Sequence, residues 1–277
     1  MRKERVDVLL VKRGLAESRS QAQRLVMAGQ VRADGQVVPK PSTTLSMDAQ
    51  VEVEVGPRFV SRGGEKLEAA LQRFGLNISG KICADIGAST GGFTHCLLVH
   101  GASKVYAIDV GHGVLHWKLR QDPRVVVMEN TNARYLRDLP EKIELVTVDA
   151  SFISLKLLLP VINHWFAARH VSGERLESPD SQKEGNLITL IKPQFEAGRQ
   201  EASRGEGVIR DHQIHHRVLY EVLRFAEELG YAVRNLIRSP ILGPKGNVEF
   251  LAHLTYPAED GPESDSMVAQ ILSKMDE

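Results

Sequence analysis

One glycine-rich segment, which follows a short apolar run, constrains the possible folds of this chain more than any other feature. Residues 85–94 read DIGASTGGFT, come directly after KICA at residues 81–84, and precede a helix-compatible stretch. This order predicts a buried strand, a tight turn and a helix start, where free backbone N–H groups can meet a ligand. We therefore expect an α/β domain with a binding site at the end of its first strand. A glycine-rich turn without a ligand is the alternative.

The spacing of the glycines indicates which ligand to expect. The dinucleotide fingerprint G-x-G-x-x-G has its second glycine where this chain has Ser89, and the spacing here is G-x-x-x-G-G. That departure favours S-adenosylmethionine over a pyrophosphate, since methyltransferases that use this cofactor carry an acidic residue just before such a loop. A carboxylate at Asp109, which ends the second predicted strand, can accept hydrogen bonds from both ribose hydroxyls of an adenosine. The predicted cofactor contacts are Asp85, Gly87, Ser89, Thr90, Gly91, Gly92, Phe93, Asp109, Asn132 and Asp149.

Some of these residues have a structural alternative. Asp85 could order the loop instead of meeting the ammonium group of the cofactor. Asp109 could cap the next turn, and Asn132, which we expect to face the adenine, could equally form a turn.

The rest of the chain alternates β-prone apolar runs with amphipathic helical segments. Further strands are predicted over residues 104–109, 124–128, 143–149, 187–193, 231–238 and 248–255. Asp211 would cap the helix before the last two strands, and residues 172–186 are expected to form an exposed polar loop. This layout predicts an α/β fold with a Rossmann-like, seven-stranded methyltransferase sheet whose last strand is antiparallel.

The composition is that of a soluble globular protein. Of the 277 residues, 42% are hydrophobic and 25% are charged, no run of 18 apolar residues occurs, and the charged start does not resemble a signal peptide. Cys83 and Cys96 fit neither a disulfide framework nor a metal motif, so we expect a cytoplasmic protein. His112 and His116 stand four residues apart and could contribute to a zinc site. The predicted chemistry needs no metal, and we expect none.

The first 46 residues are basic, although the formal net charge of the whole chain is +0. Nine lysines and arginines stand there against four acidic residues, a net charge of +5. Val6, Leu9 and Leu10 have helical spacing, Ser18 can cap a second helix that Gly29 would end, and an Asp-Gly pair follows at a predicted hairpin turn. We expect a small α+β domain over residues 1–56, a linker at 57–62, a methyltransferase domain at 63–256 and a tail at 257–277.

The basic region resembles a known RNA-binding module. RVDVLL at residues 5–10, LAESRSQA at 15–22, GQV at 29–31 and DG at 34–35 are similar to the small RNA-binding domain named after the fourth small-subunit ribosomal protein. The resemblance implies that the phosphates and groove shape of structured RNA are contacted by Arg5, Arg19, Arg24 and Arg32. A solvated basic surface is the alternative.

Four charged residues form an ordered set, which comprises Lys66, Asp149, Lys192 and Glu249. Ligands of an open α/β sheet bind outside the carboxyl ends of its strands, where Asp149 and Lys192 are predicted to lie. A lysine that ends an apolar strand is costly to desolvate unless it is paired or used. The four residues lie in the motifs SRGGEKL, VDASFISL, IKPQFE and GNVEFL. The set and these motifs resemble those of the 2′-O-ribose methyltransferases of the FtsJ family. With the basic head, residues 1 to about 256 resemble the TlyA family, bacterial rRNA methyltransferases once described as haemolysins.

This resemblance implies S-adenosylmethionine-dependent 2′-O-methylation of ribosomal RNA, with a cytidine of 16S or 23S rRNA as the expected target. It makes Lys192 the central residue, as a base or by steering the hydroxyl, while Lys66 and Glu249 orient the hydroxyl and Asp149 holds Lys192. The expected partners are ribosomal RNA and ribosomal subunits, with no membrane and no obligate protein partner. Structural ion pairs, a non-catalytic RNA-binding ribosome-assembly factor and a haemolysin are the alternatives.

Overall fold

The computed structural model describes residues 3–54, 56–166, 185–198, 201, 205–258 and 264–273. The chain divides into two compact units, Met1–Arg58 and Phe59–Glu277. Phe59, which we placed in the linker, is only 2% exposed and packs in the core of the second unit. The second unit therefore starts within the segment expected to be a linker.

The first unit combines two short helices with two small antiparallel sheets. Its elements are β1 (Lys3–Arg5), α1 (Val6–Lys12), α2 (Arg19–Met27), β2 (Val31–Ala33), β3 (Gln36–Val37), β4 (Thr44–Ser46) and β5 (Val51–Val53). β2 pairs with β3 on one side and with β5 on the other, and β1 pairs with β4. The apolar faces of both helices pack against β2 in a core that includes Val6, Leu10, Ala22, Val26 and Val31.

Two local signals of the sequence are confirmed in this unit. The hydroxyl of Ser18 accepts a hydrogen bond from the Gln21 N–H at 3.2 Å, which caps α2. Asp34 and Gly35 connect β2 to β3 with φ angles of 50° and 79°. A two-residue turn with two positive φ angles matches the right-handed twist of the flanking strands, which is why Asp-Gly predicts a hairpin.

A buried carboxylate organises the basic side of this unit. Asp7 is 0% exposed and accepts hydrogen bonds at 3.0 Å from the side chains of Arg5, Arg19 and Gln23. The Arg5 guanidinium, followed by Gln23 and Arg19, holds the pKa of the Asp7 carboxyl far below its ordinary value, against the opposing effect of burial. Asp7 thus connects the start of α1 to α2 and orients two of the arginines that we predicted to contact RNA.

We expect Asp7→Asn to destabilise the protein by about 2 kcal/mol, because hydrogen bonds to a charged group contribute about 1.5–3 kcal/mol and two guanidinium groups lose their anionic acceptor. Since folding lowers the pKa of Asp7, its stabilisation is fully present above the unfolded pKa of about 3.8 and is lost as the pH falls through the lower folded value. Urea unfolding followed by circular dichroism measures the effect. Exposed Asp48→Asn is the control, and equal unfolding free energies for the two variants would contradict the prediction.

The second unit is built around one large sheet with helices on both faces. Its strands are β6 (Ile82–Ile86), β7 (Lys104–Ile108), β8 (Val125–Met128), β9 (Leu145–Val148), β10 (Gly185–Ile191), β11 (Ala232–Arg238) and β12 (Phe250–Tyr256). Its helices are α3 (Gly63–Phe74), α4 (Gly92–Val99), α5 (Trp117–Arg120), α6 (Leu159–Phe166), α7 (Pro193–Glu196), α8 (His212–Glu228) and α9 (Ser264–Ser273). Short 3₁₀ turns occur at Ala133–Tyr135, Leu155–Leu157 and Pro244–Gly246.

Within the described part of the chain, the order of the seven strands is β11-β12-β10-β9-β6-β7-β8. The strands β10, β9, β6, β7 and β8 are parallel, whereas β12 runs antiparallel to both of its neighbours. The predicted sheet with an antiparallel last strand is confirmed, and its strand ends differ from the prediction by one or two residues. The strand order reverses beside β6, so the carboxyl ends of β6 and β9 flank the crevice where open α/β sheets bind ligands.

Two apolar layers cover the opposite faces of this sheet. Cys83 of β6 belongs to the layer with α3 and α4, whereas the next residue, Ala84, belongs to the layer with α6 and α8, as the alternation of side chains along a strand requires. Val268 of α9 is 1% exposed and packs in the second layer. The segment that we expected to be a tail therefore contributes to the core. Of the predicted polar loop at 172–186, only Gly185 and Asn186 are described, and they begin β10.

Candidate active site

A cavity of about 370 Å³ opens at the carboxyl ends of the parallel strands. Small-molecule sites commonly enclose about 300–1,000 Å³, so this cavity can hold a small cofactor or part of one. Five parts of the chain line it: the loop after β6, the start of α3, the segment after β9, the segment after β10 and the loop before β12. Its lining includes Gly87, Ser89, Thr90, Gly92, Phe93, Lys66, Asp149, Lys192 and Glu249.

Two glycines allow the loop after β6 to lie against its neighbours. Gly87 has a φ of +78°, and a Cβ atom there would lie 2.8 Å from the carbonyl oxygen of Asp149. A Cβ atom on Gly92 would overlap the hydroxyl of Ser61 and come within 2.9 Å of the Gly64 nitrogen. Because these glycines have no side chain, the loop, the end of β9 and the start of α3 can meet around the cavity.

Asp109 fixes the same loop from the end of β7. Its Oδ2 accepts a hydrogen bond from the Ser89 N–H at 2.8 Å, and its Oδ1 accepts one from the Gly111 N–H at 2.7 Å. Ser89 has a φ of 50°, which a residue with a side chain adopts only when its surroundings impose it. Asp109 therefore shapes the loop and also caps the next turn, and its carboxylate has further lone pairs that a ribose could use.

Asn132 and Asp109 both lie outside the lining described for the cavity. The Oδ1 of Asn132 accepts a hydrogen bond from the Arg134 N–H at 3.1 Å and caps the 3₁₀ turn that follows. This contact of Asn132 is the one expected if the residue forms a turn. The structure brings neither residue into direct contact with the cavity.

Asp85 lies in the core of the second unit, directly before the glycine-rich loop. It is 0% exposed, and its two oxygens accept hydrogen bonds from the hydroxyls of Thr94 at 2.6 Å and Thr147 at 2.9 Å. Burial raises the pKa of Asp85 to about 6, although both hydroxyls favour its charged form. Its side chain connects β6 to α4 and β9, so it orders the loop from below. These contacts match the alternative in which Asp85 orders the loop.

Lys192 and Asp149 form an ion pair between the ends of β10 and β9. Their Nζ and Oδ1 atoms are 2.6 Å apart. The same Nζ donates to the hydroxyl of Ser151 at 3.0 Å and to the backbone oxygen of Asp149 at 3.3 Å. The Lys192 side chain is 8% exposed and that of Asp149 is 23% exposed, so the pair is accessible from the cavity on its Asp149 side.

Lys66 and Glu249 form the second pair, between α3 and the residue before β12. The Lys66 Nζ lies 2.6 Å from the Glu249 Oε2, and the side chains are 9% and 0% exposed. Gln194 donates to the other oxygen of Glu249 at 3.1 Å. A Cβ atom on Gly243 would overlap this carboxylate, so the loop between β11 and β12 lies directly over it. All four residues of the predicted Lys-Asp-Lys-Glu set therefore border one cavity as two ion pairs.

Sequence reasoning missed Phe152, which lies three residues after Asp149. Phe152 is 91% exposed and has a φ of 64°, an outlying value for an aromatic residue. Its ring centroid lies 4.9 Å from that of Phe195, whose ring in turn lies 5.7 Å from the Nζ of Lys192. Phe152 begins the mostly apolar segment FISL, and such a segment predicts burial. The sequence therefore gives no indication that Phe152 is exposed beside the site.

The four arginines predicted to contact RNA all lie on the first unit. Arg5 and Arg19 bind Asp7 and keep side-chain exposures of 41% and 56%. Arg32 forms an ion pair with Glu54 and is 38% exposed, and Arg24 is exposed on α2. Their partners hold three of the side chains in place while part of each guanidinium group stays open to solvent.

The two histidines considered as zinc ligands have other contacts. The Nδ1 of His116 accepts a hydrogen bond from the Lys118 N–H at 3.2 Å, and the Nδ1 of His112 lies 3.1 Å from the amide nitrogen of Asn130. Among the described residues, no group of three or more His, Cys, Asp or Glu side chains is arranged to hold a metal ion. In the same described ranges, every helix is too short or too polar to cross a membrane.

An open sheet of this topology, with a glycine-rich loop after its first strand and a charged cavity beside it, defines the class of Rossmann-like methyltransferases. A family model described as FtsJ-like methyltransferase matches residues 59–256, and a model for the S4 domain matches residues 4–51. The chain therefore belongs to the FtsJ-like methyltransferase family, and it carries an S4 domain ahead of the methyltransferase domain.

Individual relatives cover most of the chain. It is 43% identical over 259 residues to the 16S/23S rRNA (cytidine-2′-O)-methyltransferase TlyA of Mycobacterium tuberculosis. The aligned residues cover 91% of this chain and 90% of that protein. It is 42% identical over 255 residues to Hemolysin A of Brachyspira hyodysenteriae, with 90% and 98% covered. The solved structure of a candidate hemolysin from Streptococcus thermophilus has 41% identity and a TM-score of 0.70 over 99% of this chain and 96% of that one. The resemblance to the TlyA family is confirmed.

Proposed function

We propose that this protein methylates the 2′-hydroxyl of a ribose in ribosomal RNA with S-adenosylmethionine as methyl donor, and that a cytidine of 16S or 23S rRNA is the target. The observation that carries the proposal is the presence of two ion pairs, Lys66–Glu249 and Lys192–Asp149, around one cavity beside the glycine-rich loop. The TlyA relative, whose name states this reaction, and the S4 domain support the choice of substrate.

The residues of the loop fit the cofactor. The cavity reaches the loop where Gly87 and Gly92 keep side chains out of the way, and Phe93 offers an apolar wall. The cofactor supplies a methyl group attached to a positively charged sulfur, so the protein has to bind and orient it rather than activate it. In this proposal, the methionine part is surrounded by Gly87, Ser89, Thr90, Gly91, Gly92 and Phe93. Asp109 then binds the ribose, Asn132 faces the adenine and Asp149 lies near the methyl group.

The hydrogen bonds of Lys192 support a position for the ribose hydroxyl in this proposal. A lysine ammonium has three N–H donors, and here they meet the Asp149 carboxylate, the Ser151 hydroxyl and, at the longest distance of 3.3 Å, the Asp149 carbonyl. A 2′-hydroxyl that replaces the longest contact would lie beside both Lys192 and Asp149. As an ammonium, Lys192 then steers the lone pair of the oxygen; to take its proton instead, Lys192 must first release one of its own to solvent. In both cases Asp149 keeps the lysine in place. Lys66 and Glu249 line another part of the same cavity and orient the ribose.

The exposed ring of Phe152 supports a nucleic-acid substrate. Aromatic rings at RNA sites stack on unpaired bases, and a nucleotide must leave its helix before its ribose can enter a cavity of this kind. Phe152 lies within three residues of Asp149, which places a stacking surface next to the proposed position of the ribose. We infer that it supports the base of the target nucleotide or of its neighbour.

Replacing Lys192 tests the catalytic assignment. We expect Lys192→Ala to lower kcat at least about 100-fold, because positioned proton transfer contributes about 10²–10⁴-fold, and to change the affinity for S-adenosylmethionine less than about threefold. Transfer of labelled methyl groups to ribosomal subunits from cells that lack the protein measures the rate, and calorimetry measures cofactor binding. Lys104→Ala is the control, since Lys104 is the first residue of β7, at the end of the strand away from the site, and pairs with Glu141. If Lys192→Ala keeps the wild-type kcat, Lys192 is not the central catalytic residue. If the wild-type protein itself transfers no methyl group, the non-catalytic assembly factor is favoured.

Replacing Phe152 tests the contact with a base. We expect Phe152→Ala to raise KM for RNA about tenfold, since stacking of one base on an aromatic ring contributes about 1–3 kcal/mol, with no change in cofactor affinity. Phe152→Tyr keeps the ring and should retain the wild-type KM. Phe152→Gly removes the ring and also relieves the positive φ, so it separates the two effects. A wild-type KM in both the Ala and Gly variants contradicts the contact.

Replacing Arg24 tests the role of the first unit. Each phosphate contact contributes about 1 to the slope of log Kd against log salt concentration, so Arg24→Gln should weaken RNA binding and reduce that slope by about 1. Filter binding with an rRNA fragment at several salt concentrations provides the measurement. Arg224→Gln removes another exposed arginine, from α8, and should leave the slope unchanged. An unaltered slope for Arg24→Gln argues against an RNA contact at this residue.

A further inference from the structure

Two chain segments meet at the candidate active site and contact each other near their starts, in their middle parts and near their ends. The first, the β9 segment, is residues 149–155, and the second, the β10 segment, is residues 192–196. The Asp149–Lys192 ion pair joins their first residues at 2.6 Å. The rings of Phe152 and Phe195 meet at 4.9 Å between centroids. The third contact, farthest along both segments, is made by Glu196.

Glu196 contacts the β9 segment through both of its carboxylate oxygens. Its Oε2 accepts a hydrogen bond from the Ser154 hydroxyl at 2.6 Å, and its Oε1 accepts one from the Leu155 N–H at 2.8 Å. Burial raises the pKa of this carboxyl, which these two donors and Lys156 partly offset. A carboxylate held in a place that disfavours its charge costs free energy, so the two contacts must compensate for it. Glu196 belongs to neither of the two ion pairs, and the chemistry described above does not use it.

We propose that Glu196 is a positioning residue for methyl transfer, which fixes the β9 segment against the β10 segment and so sets the distance between Asp149 and Lys192. This inference rests on the proposed function and adds a residue to it. Glu196 and Lys192 lie at the two ends of α7, which has Pro193 as its first residue. A restraint at the far end of α7 therefore acts on the lysine at its start.

The backbone of the β9 segment explains why such a restraint is needed. Phe152 has a φ of 64°, a conformation that a free loop would leave because it crowds the side chain. Asp149 holds the segment on one side of Phe152, and the Ser154 and Leu155 contacts with Glu196 hold it on the other. Without the second restraint the segment can relax. The Ser151 hydroxyl would then leave Lys192, and the Phe152 ring would leave Phe195.

The test compares three substitutions at matched sites. Glu196→Met has a similar size but accepts no hydrogen bond, and we expect it to lower kcat about tenfold or more, because small displacements of reacting groups cost up to about 100-fold. Glu196→Gln still accepts from the Leu155 N–H and can donate to the Ser154 hydroxyl, so it should restore kcat to within about threefold. Glu221→Met makes the same exchange at a more exposed carboxylate that pairs with Lys156, and it should leave kcat unchanged. Cofactor affinity should stay within about twofold in all three, since Glu196 does not line the cavity described above.

A second measurement does not depend on activity. Amide hydrogen exchange at Leu155 should be faster in Glu196→Met than in the wild type and close to wild type in Glu196→Gln. If the wild type fails to methylate rRNA while the exchange pattern holds, the proposed function fails and the structural restraint stands. If kcat and exchange in Glu196→Met both match the wild type, the positioning role is overturned, as it is if Glu221→Met causes the same loss of kcat.

Ser154→Ala keeps the test decisive should Glu196→Met fail to fold. It removes one of the two donors from a half-buried position and leaves the Leu155 N–H in place. We expect kcat to fall about threefold or more with a normal melting temperature and normal cofactor binding. A wild-type kcat in a folded Ser154→Ala variant overturns the proposal.

Discussion

The buried pair of Lys66 and Glu249 is the interaction on which the geometry of the site depends. It joins α3, near the start of the second unit, to the residue before β12 across 183 positions of sequence. Removing one partner of such a pair costs about 3–5 kcal/mol, but apolar side chains of similar volume can often replace both partners without loss. Stability alone therefore does not require charges at these positions. The pair places an ammonium and a carboxylate at the wall of the cavity, and Gln194 on α7 binds the remaining carboxylate oxygen.

The two ion pairs differ in depth, and this difference separates their roles. Glu249 is 0% exposed and is enclosed by Lys66, Gln194 and the loop at Gly243, whereas Asp149 is 23% exposed beside the cavity. A substrate can reach the Lys192–Asp149 pair without breaking the Lys66–Glu249 pair. The deeper pair is therefore suited to fix the position of α3 relative to the sheet. The shallower pair is suited to exchange one of its contacts for a hydroxyl.

The sheet, the glycine-rich loop and the four charged residues could be predicted because each leaves a pattern in neighbouring residues. Asp149 and Lys192 each follow an apolar run that predicts a strand, and the glycines of DIGASTGGFT predict a tight turn. The hydrogen-bond partners of Asp85 could not be predicted in this way. Thr94 and Thr147 lie on two other elements, so the burial of Asp85 depends on tertiary packing rather than on local spacing. The exposure of Phe152 could not be predicted for the same reason, since its ring contact with Phe195 joins two different segments.

The backbone carbonyl of Asp149 contacts both the glycine-rich loop and Lys192. The oxygen of Asp149 lies so close to Gly87 that a Cβ atom there would come within 2.8 Å of it, and it also accepts the longest hydrogen bond of Lys192. The glycine-rich loop and the lysine therefore share one contact. A side chain at Gly87 would push this carbonyl and, with it, the end of β9 that carries Asp149. The absence of a side chain at Gly87 thus matters twice, because it leaves room beside the loop and keeps Asp149 at the distance that Lys192 requires.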